Sequence, residues 1–231
     1  TWRESVHARA FTNHIFAHAV QRDRDGWCLN CHTPLWSGKE ADVERIIGWL
    51  AKPAGVRAQM PADLEQGITC AVCHVRDGQI VGSGKKARDP TGKKHEVLID
   101  KDLRTEKFCA GCHHLTAFKV AGSERQIPVV TDFSDWQRIG CKKSCQDCHM
   151  PSRGSAAVAR GSQPRPNVPV HSFPGAAALA KLLKFELAQR NKPGEIAVEI
   201  SHSAGHMLPS GFVERRLIVR AEWLGADGSK L

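Results

Sequence analysis

The sequence predicts a mostly α-helical and irregular chain, cored by something other than its own side chains and ending in a small antiparallel β ribbon. Three observations predict it. Large apolar side chains are scarce: hydrophobic residues make up 41% of the 231, aromatic ones only 6%, and tyrosine is absent. A short unit, Cys-x-x-Cys-His, occurs four times. Near the C-terminal end, apolar residues alternate with charged or small ones, at the period of two that a half-buried strand requires.

The cysteine units decide the chemistry. Eight of the nine cysteines form pairs of one spacing: Cys28/Cys31, Cys70/Cys73, Cys109/Cys112 and Cys145/Cys148. Each pair is followed at once by a histidine: His32, His74, His113 and His149. Covalent attachment of a c-type haem asks for this pattern. Two thiols reach the two vinyl groups on one porphyrin edge, and the next residue places an imidazole under the iron through a short helical turn. Zinc also takes paired cysteines, but does not ask for histidine directly behind the second. With 12 histidines in 231 residues, four falling in that place by chance is on the order of one in 10⁵. A thioredoxin-like role fails on the same ground, and no βαβ pattern surrounds the pairs. The predicted cofactors are therefore four c-type haems, with the four following histidines as proximal iron ligands. Their apolar macrocycles supply the missing core, which makes the fold haem-cored. Cys141 is left over, and is expected as a buried free thiol or as a disulfide to another subunit.

Formal net charge is +9, with a sequence pI near 9.2. Such a balance can serve nucleic acid or an anionic membrane. Here two propionates per haem would cancel most of it, and the basic residues are scattered, with short clusters only at Lys85–Lys86 and Lys93–Lys94. No nucleic-acid partner is expected. No stretch approaches the ~20 apolar residues of a transmembrane segment. Thioether attachment takes place outside the cytoplasm, so the expected location is periplasmic, cell-surface or extracellular, with any export signal ahead of Thr1.

Eight histidines remain for the distal side: His7, His14, His18, His95, His114, His171, His202 and His206. Four six-coordinate irons need four, so ligation by two histidines is affordable throughout. Methionine, at three residues, is too scarce to replace them. Paired imidazoles favour low-spin iron and lower potentials than histidine with methionine.

In chain order, residues 2–22 read as one helix, with Trp2, Val6, His7, Phe11, His14, Ile15 and His18 along a broad face. Asp42–Ala51 reads as a second, short helix. From Lys52 to Gly161 the chain reads mostly as loops punctuated by Gly and Pro. Ser155–Pro169 is small, basic and proline-containing, an exposed linker. A helix is expected over 174–190, with Ser172 as cap and Pro174 early. Strands are expected at Ile196–Ile200 and Leu217–Trp223, with a turn at Ala226-Asp-Gly-Ser. His202 continues the apolar face of its strand, which suits core packing. The domains expected are 1–191, carrying the four haems, and 192–231, a small β module open to completion by further sequence or a partner.

Several local signatures carry a family resemblance: Trp2-Arg-Glu-Ser-Val-His7, Gly67-Ile-Thr-Cys-Ala-Val-Cys-His74, Cys145-Gln-Asp-Cys-His-Met-Pro151, His171-Ser-Phe-Pro-Gly175 and Gly205-His-Met-Leu-Pro-Ser-Gly211. With them the chain resembles bacterial multihaem cytochromes related to the tetrahaem electron acceptor of hydroxylamine oxidoreductase. Similar proteins include redox enzymes, periplasmic shuttles and subunits of extracellular cytochrome filaments. The resemblance implies that His7, His171 and His206 are distal ligands; His95 is the fourth choice. His14, His18 and His114 form a second rank. Many relatives carry a further haem unit upstream of the Trp-x-x-Ser-x-His stretch, a place that falls before Thr1. The function expected is electron transfer between redox partner proteins. It extends to a head-to-tail filament of identical subunits, with His7, His14 or His18 donated to a neighbour. The alternative is a redox enzyme acting on a small nitrogen or sulfur compound at one five-coordinate haem.

Overall fold

The computed structural model describes residues 1–36, 40–52, 67–84, 96–115, 118–119, 124, 126–157, 163–174, 179, 181–189, 195–210 and 215–230. The chain divides into two compact units. The first joins Thr1–Phe108 to Lys143–Leu179, and the second joins Cys109–Lys142 to Ala180–Leu231.

In the first unit the single helix expected over 2–22 is broken. Two 3-10 turns, Trp2–Glu4 and His7–Arg9, precede helix α1, His14–Asp23. The break is chemical: Asn13 leaves the helical region, and its side-chain oxygen accepts from the Ile15 amide at 2.9 Å, capping α1. Its buried face changes accordingly. Phe16, Ala17, Ala19 and Val20 point inward, while His14, Ile15 and His18 are exposed. The three N-terminal histidines therefore do not share one helical face.

The 3-10 turn Gly26–Cys28 leads into α2, Leu29–His32, the first cysteine unit. Helix α3, Glu40–Leu50, matches the second helix expected. Val43, Ile46, Ile47 and Leu50 form an i, i+3, i+4, i+7 stripe, which packs with Phe11, Phe16, Val20 and Leu29 into the core of this unit.

Gly67 fastens the N-terminal turns to the second cysteine unit. It holds φ +59, and a Cβ there would stand 2.9 Å from the His7 carbonyl oxygen and 3.0 Å from the Ala10 nitrogen. The Ile68 amide donates to that same His7 carbonyl at 3.0 Å, and Trp2 Nε1 donates to the Ile68 carbonyl at 2.8 Å. Only glycine fits this approach. Gly67→Ala is expected to cost about 1–3 kcal/mol, read as a fall in the denaturation midpoint; an unchanged midpoint would show that the contact is dispensable.

The stretch expected as loops holds short regular elements. Helix α4, Cys70–His74, runs into the hairpin β1, Val75–Arg76, and β2, Gln79–Gly82. Asp77 and Gly78 turn it, both at positive φ, as a tight two-residue turn requires. Strand β3, Leu98–Ile99, lies parallel to β2. Helices α5, Glu106–His113, and α7, Cys145–His149, carry the third and fourth cysteine units, with α6, Asp132–Ile139, between them in sequence. Helices α4, α5 and α7 bury none of their side chains, unlike α1 and α3. The expected linker Ser155–Pro169 is mostly exposed where described, with Ala156 and Val168 half-buried, yet it folds back on itself. Ala156 and Arg165 exchange backbone hydrogen bonds of 3.0 and 2.9 Å, and Ser152 bridges Pro169.

The second unit holds α6, the backbone pair β4, Phe118–Lys119, with β5, Gln126–Ile127, and one antiparallel ribbon. That ribbon pairs β6, Leu183–Gln189, with β7, Ile196–His202. The helix expected over 174–190 is thus overturned from Leu183 on. Leu183, Phe185 and Leu187 alternate with Lys184, Glu186 and Ala188, and meet His202, Ile200 and Val198 across the ladder. Cross-strand pairing decides between two readings that local propensity leaves balanced. The ladder spans position 191/192, where the sequence suggested a boundary. Leu217–Trp223, expected as the second strand, joins no ladder among the described residues. The turn at Ala226–Ser229 forms, with Leu224 bridging Lys230.

Candidate haem sites

The second cysteine unit is the most fully built. Its hairpin returns the chain over α4, so that His74 Nδ1 lies 3.0 Å from the Val81 carbonyl oxygen. A carbonyl only accepts, so Nδ1 carries the proton and Nε2 keeps its lone pair for a metal. Arg76 fastens the turn, donating to the Val72 and Val75 carbonyls at 2.8 and 2.6 Å, with its guanidinium 5.1 Å from the Phe108 ring centroid.

His171 meets His74 there. Its Nδ1 donates to the Pro169 carbonyl at 2.9 Å, which again leaves Nε2 available. The segment is held by the Val170 amide on the Pro151 carbonyl at 2.9 Å, directly behind the fourth unit. The two ring centroids stand 6.1 Å apart. Two imidazoles on opposite sides of one metal, each bonded at about 2 Å, put their centroids about 6 Å apart. Burial, opposed by the Pro169 hydrogen bond, holds the His171 imidazole below its usual range. The ring is therefore neutral at pH 7, as a metal ligand must be.

At the first unit, His32 Nδ1 donates to the Ala10 carbonyl at 2.8 Å, and the Phe16 ring stacks on the imidazole at 3.9 Å and 10°. Backbone and core together fix that ring plane. His7 meets the Phe173 ring edge-on at 4.3 Å, and Phe173 meets His171 edge-on at 6.2 Å, so one aromatic ring props both nominated histidines. Phe173 holds φ 49, a conformation rare for a bulky residue. The fourth unit is held at both ends. Ser144 Oγ accepts from the Asp147 amide at 3.2 Å and the Asp147 carboxylate from the Ser144 amide at 2.8 Å, a capping box. Gln146 Nε2 donates to the Thr105 and Leu103 carbonyls at 2.7 and 3.2 Å.

The third unit differs in its partner. His113 Nδ1 lies 3.1 Å from Oδ2 of Asp132, the first residue of α6. His206 Nδ1 lies 4.0 Å from Oδ1 of the same carboxylate, 2.9 Å from the Met207 carbonyl and 3.1 Å from Ser210 Oγ. Burial pushes the Asp132 carboxyl up; hydrogen bonds from His113 and Ser210, with the charge of His113 and His206 beside it, outweigh that and hold it below the usual carboxylate range. One carboxylate thus lies within 4.0 Å of the Nδ1 atoms of both His113 and His206.

The remaining nominees are dispersed. His14 and His18 lie exposed one turn apart on α1. His114 is exposed, edge-on to Phe133 at 5.6 Å. His202 ends β7 with its Nδ1 buried and without a hydrogen-bond partner among the described residues. His95 lies outside the described residues. Cys28, Cys31, Cys70, Cys73, Cys109, Cys112, Cys145 and Cys148 form no disulfide, and neither does the half-buried Cys141. The residues present thus suit haem c: three box helices with no buried side chain, thiols outside any disulfide, and His32, His74 and His113 with Nδ1 already committed. Sequence reasoning missed Asp132. The frame of α6 was there to find, with acidic Asp132 and Asp135 in the first turn and Gly140 at φ +71 closing it.

Residues 91–189 match the NapC/NirT cytochrome c family, N-terminal region. The match takes in the third and fourth cysteine units and His171. No curated protein and no solved structure matches the chain. No helix among the described residues is long and apolar enough to cross a membrane.

Proposed function

We propose that the chain is an exported c-type cytochrome that carries four covalently bound haems and passes electrons between redox partner proteins, in the periplasm, at the cell surface or outside the cell. Bound haem iron supplies one-electron exchange. The chain's own residues attach, orient and insulate. Cys28 through Cys148 in their pairs give eight thioether positions, and His32, His74, His113 and His149 stand directly behind them. One observation carries the reading above the others: His74 and His171 stand 6.1 Å apart, each with Nδ1 given to a backbone carbonyl and Nε2 available to one metal between them. Six-coordination by two imidazoles exchanges electrons without an open position for substrate. Kinship with the tetrahaem electron acceptors belongs to the same proposal.

The alternative is a redox enzyme acting on a small nitrogen or sulfur compound at one five-coordinate haem, since an open iron position is what such chemistry needs. Mass spectrometry of the denatured protein tests the haem load. Four haem additions are expected, and fewer would mean that a cysteine unit goes unused. The electron paramagnetic resonance spectrum of the oxidised protein separates the readings: only low-spin ferric signals fit transfer, while a high-spin signal that shifts on adding nitrite or hydroxylamine fits the enzyme.

A further inference from the structure

We propose that Asp132 is a positioning residue that sets the potential of the third haem, by holding the proximal His113 through a hydrogen bond to its carboxylate, where His32 and His74 each give Nδ1 to a backbone carbonyl. The inference rests on the proposed haem at Cys109 and Cys112. His32 donates its Nδ1 proton to the Ala10 carbonyl at 2.8 Å and His74 donates its own to the Val81 carbonyl at 3.0 Å. His113 donates to a carboxylate at 3.1 Å. A carboxylate pulls that proton away from the ring and makes the imidazole a stronger donor to metal, which favours the oxidised, more positive iron.

The surroundings keep the carboxylate in this role. Its side chain is only 18% exposed, so solvent screens it weakly. Asp132 opens α6, where the unsatisfied amides of a helix N-terminus favour negative charge. Ser210 and the His206 ring approach it from the loop behind β7. Asp135, one turn along α6, is a control of the same charge on the same helix. It accepts from Thr131 Oγ1 at 2.8 Å and pairs with Arg138 at 3.0 Å.

The test uses the haem-loaded, full-length chain. Spectroelectrochemical titration of the wild type, Asp132→Asn, Asp132→Glu and Asp135→Asn is set beside the mass of each denatured protein. In Asp132→Asn one potential is expected to move up, while the remaining haems keep theirs and the haem load is unchanged. Asp132→Glu is expected to restore it in part. Asp135→Asn is expected to move that potential less, because it removes charge without touching the ring. A full haem load with no potential moved in Asp132→Asn, or an equal shift from Asp135→Asn, overturns the role of Asp132 and leaves the four-haem reading standing. Wild-type protein without haem on Cys109 and Cys112 overturns both. Should Asp132→Asn fail to accumulate, Asp132→Glu, which keeps the charge but moves the carboxylate from its place 3.1 Å from His113, is expected to move the same potential by a smaller amount, and no movement there overturns the role.

Discussion

In the oxidised protein, His171→Ala is expected to convert one haem from low-spin to high-spin and leave the others low-spin. The imidazole to be lost is half-buried and neutral, and its ring stands 6.1 Å from that of His74. Alanine reaches no metal, and the Phe173 ring stands between this position and His7. Added imidazole is expected to enter the vacated space and restore the low-spin signal, which a general loss of folding would not permit. The potential of the same haem is expected to rise, because the second nitrogen donor that stabilises ferric iron is gone. An all-low-spin spectrum with unchanged potentials would remove His171 from the ligand set and leave His74 with another partner.

The pairing of His74 with His171 shows what could be read before the fold and what could not. Each histidine was legible alone, one from its cysteine unit and one from the His-Ser-Phe-Pro-Gly resemblance. Their meeting depends on two folding events. The Asp77-Gly78 hairpin turns His74 Nδ1 toward Val81, and the bridge of Ser152 with Pro169 brings the chain back after a long excursion. The hairpin was readable, since Asp followed by Gly between short apolar runs is a strong turn pattern. The bridge was not, because nothing local in Ser155–Pro169 distinguishes a closed excursion from a free linker. The N-terminal misreading has a different cause. Apolar periodicity continues through residue 13, but one Asn side chain accepting a backbone proton outweighs it and restarts the helix. At 183–189 the sequence supports helix and strand nearly equally, and the partner strand Ile196–His202 settles the matter. Asp132 was invisible for the plainest reason: it lies 19 residues from His113, and only the fold makes them neighbours.

The largest loss of stability is expected from Phe11→Ala. Phe11 is fully buried, stacked near-parallel on Trp49 at 5.7 Å and tilted against Phe16 at 6.1 Å. Removing its ring from a close-packed cluster costs the transfer energy of the lost atoms and the cavity left behind, about 3–5 kcal/mol together. The cost is structural at first: Phe11 shares its core cluster with Leu29 of the first cysteine unit. It reaches the chemistry through Phe16, the residue that holds the plane of the His32 imidazole at 3.9 Å. A loosened Phe16 lets that ring turn, and axial ring orientation shapes the low-spin spectrum. Guanidinium unfolding followed by far-ultraviolet circular dichroism is expected to show a lower midpoint for Phe11→Ala. One low-spin signal, that of the first haem, is expected to broaden while the pair at His74 and His171 keeps its own. Phe11→Leu, which refills most of the space, is expected to recover much of the stability and sharpen the signal again. Equal broadening of every haem signal in Phe11→Ala would mean that this core supports the whole chain, and that the link through Phe16 to His32 is not the path by which it acts.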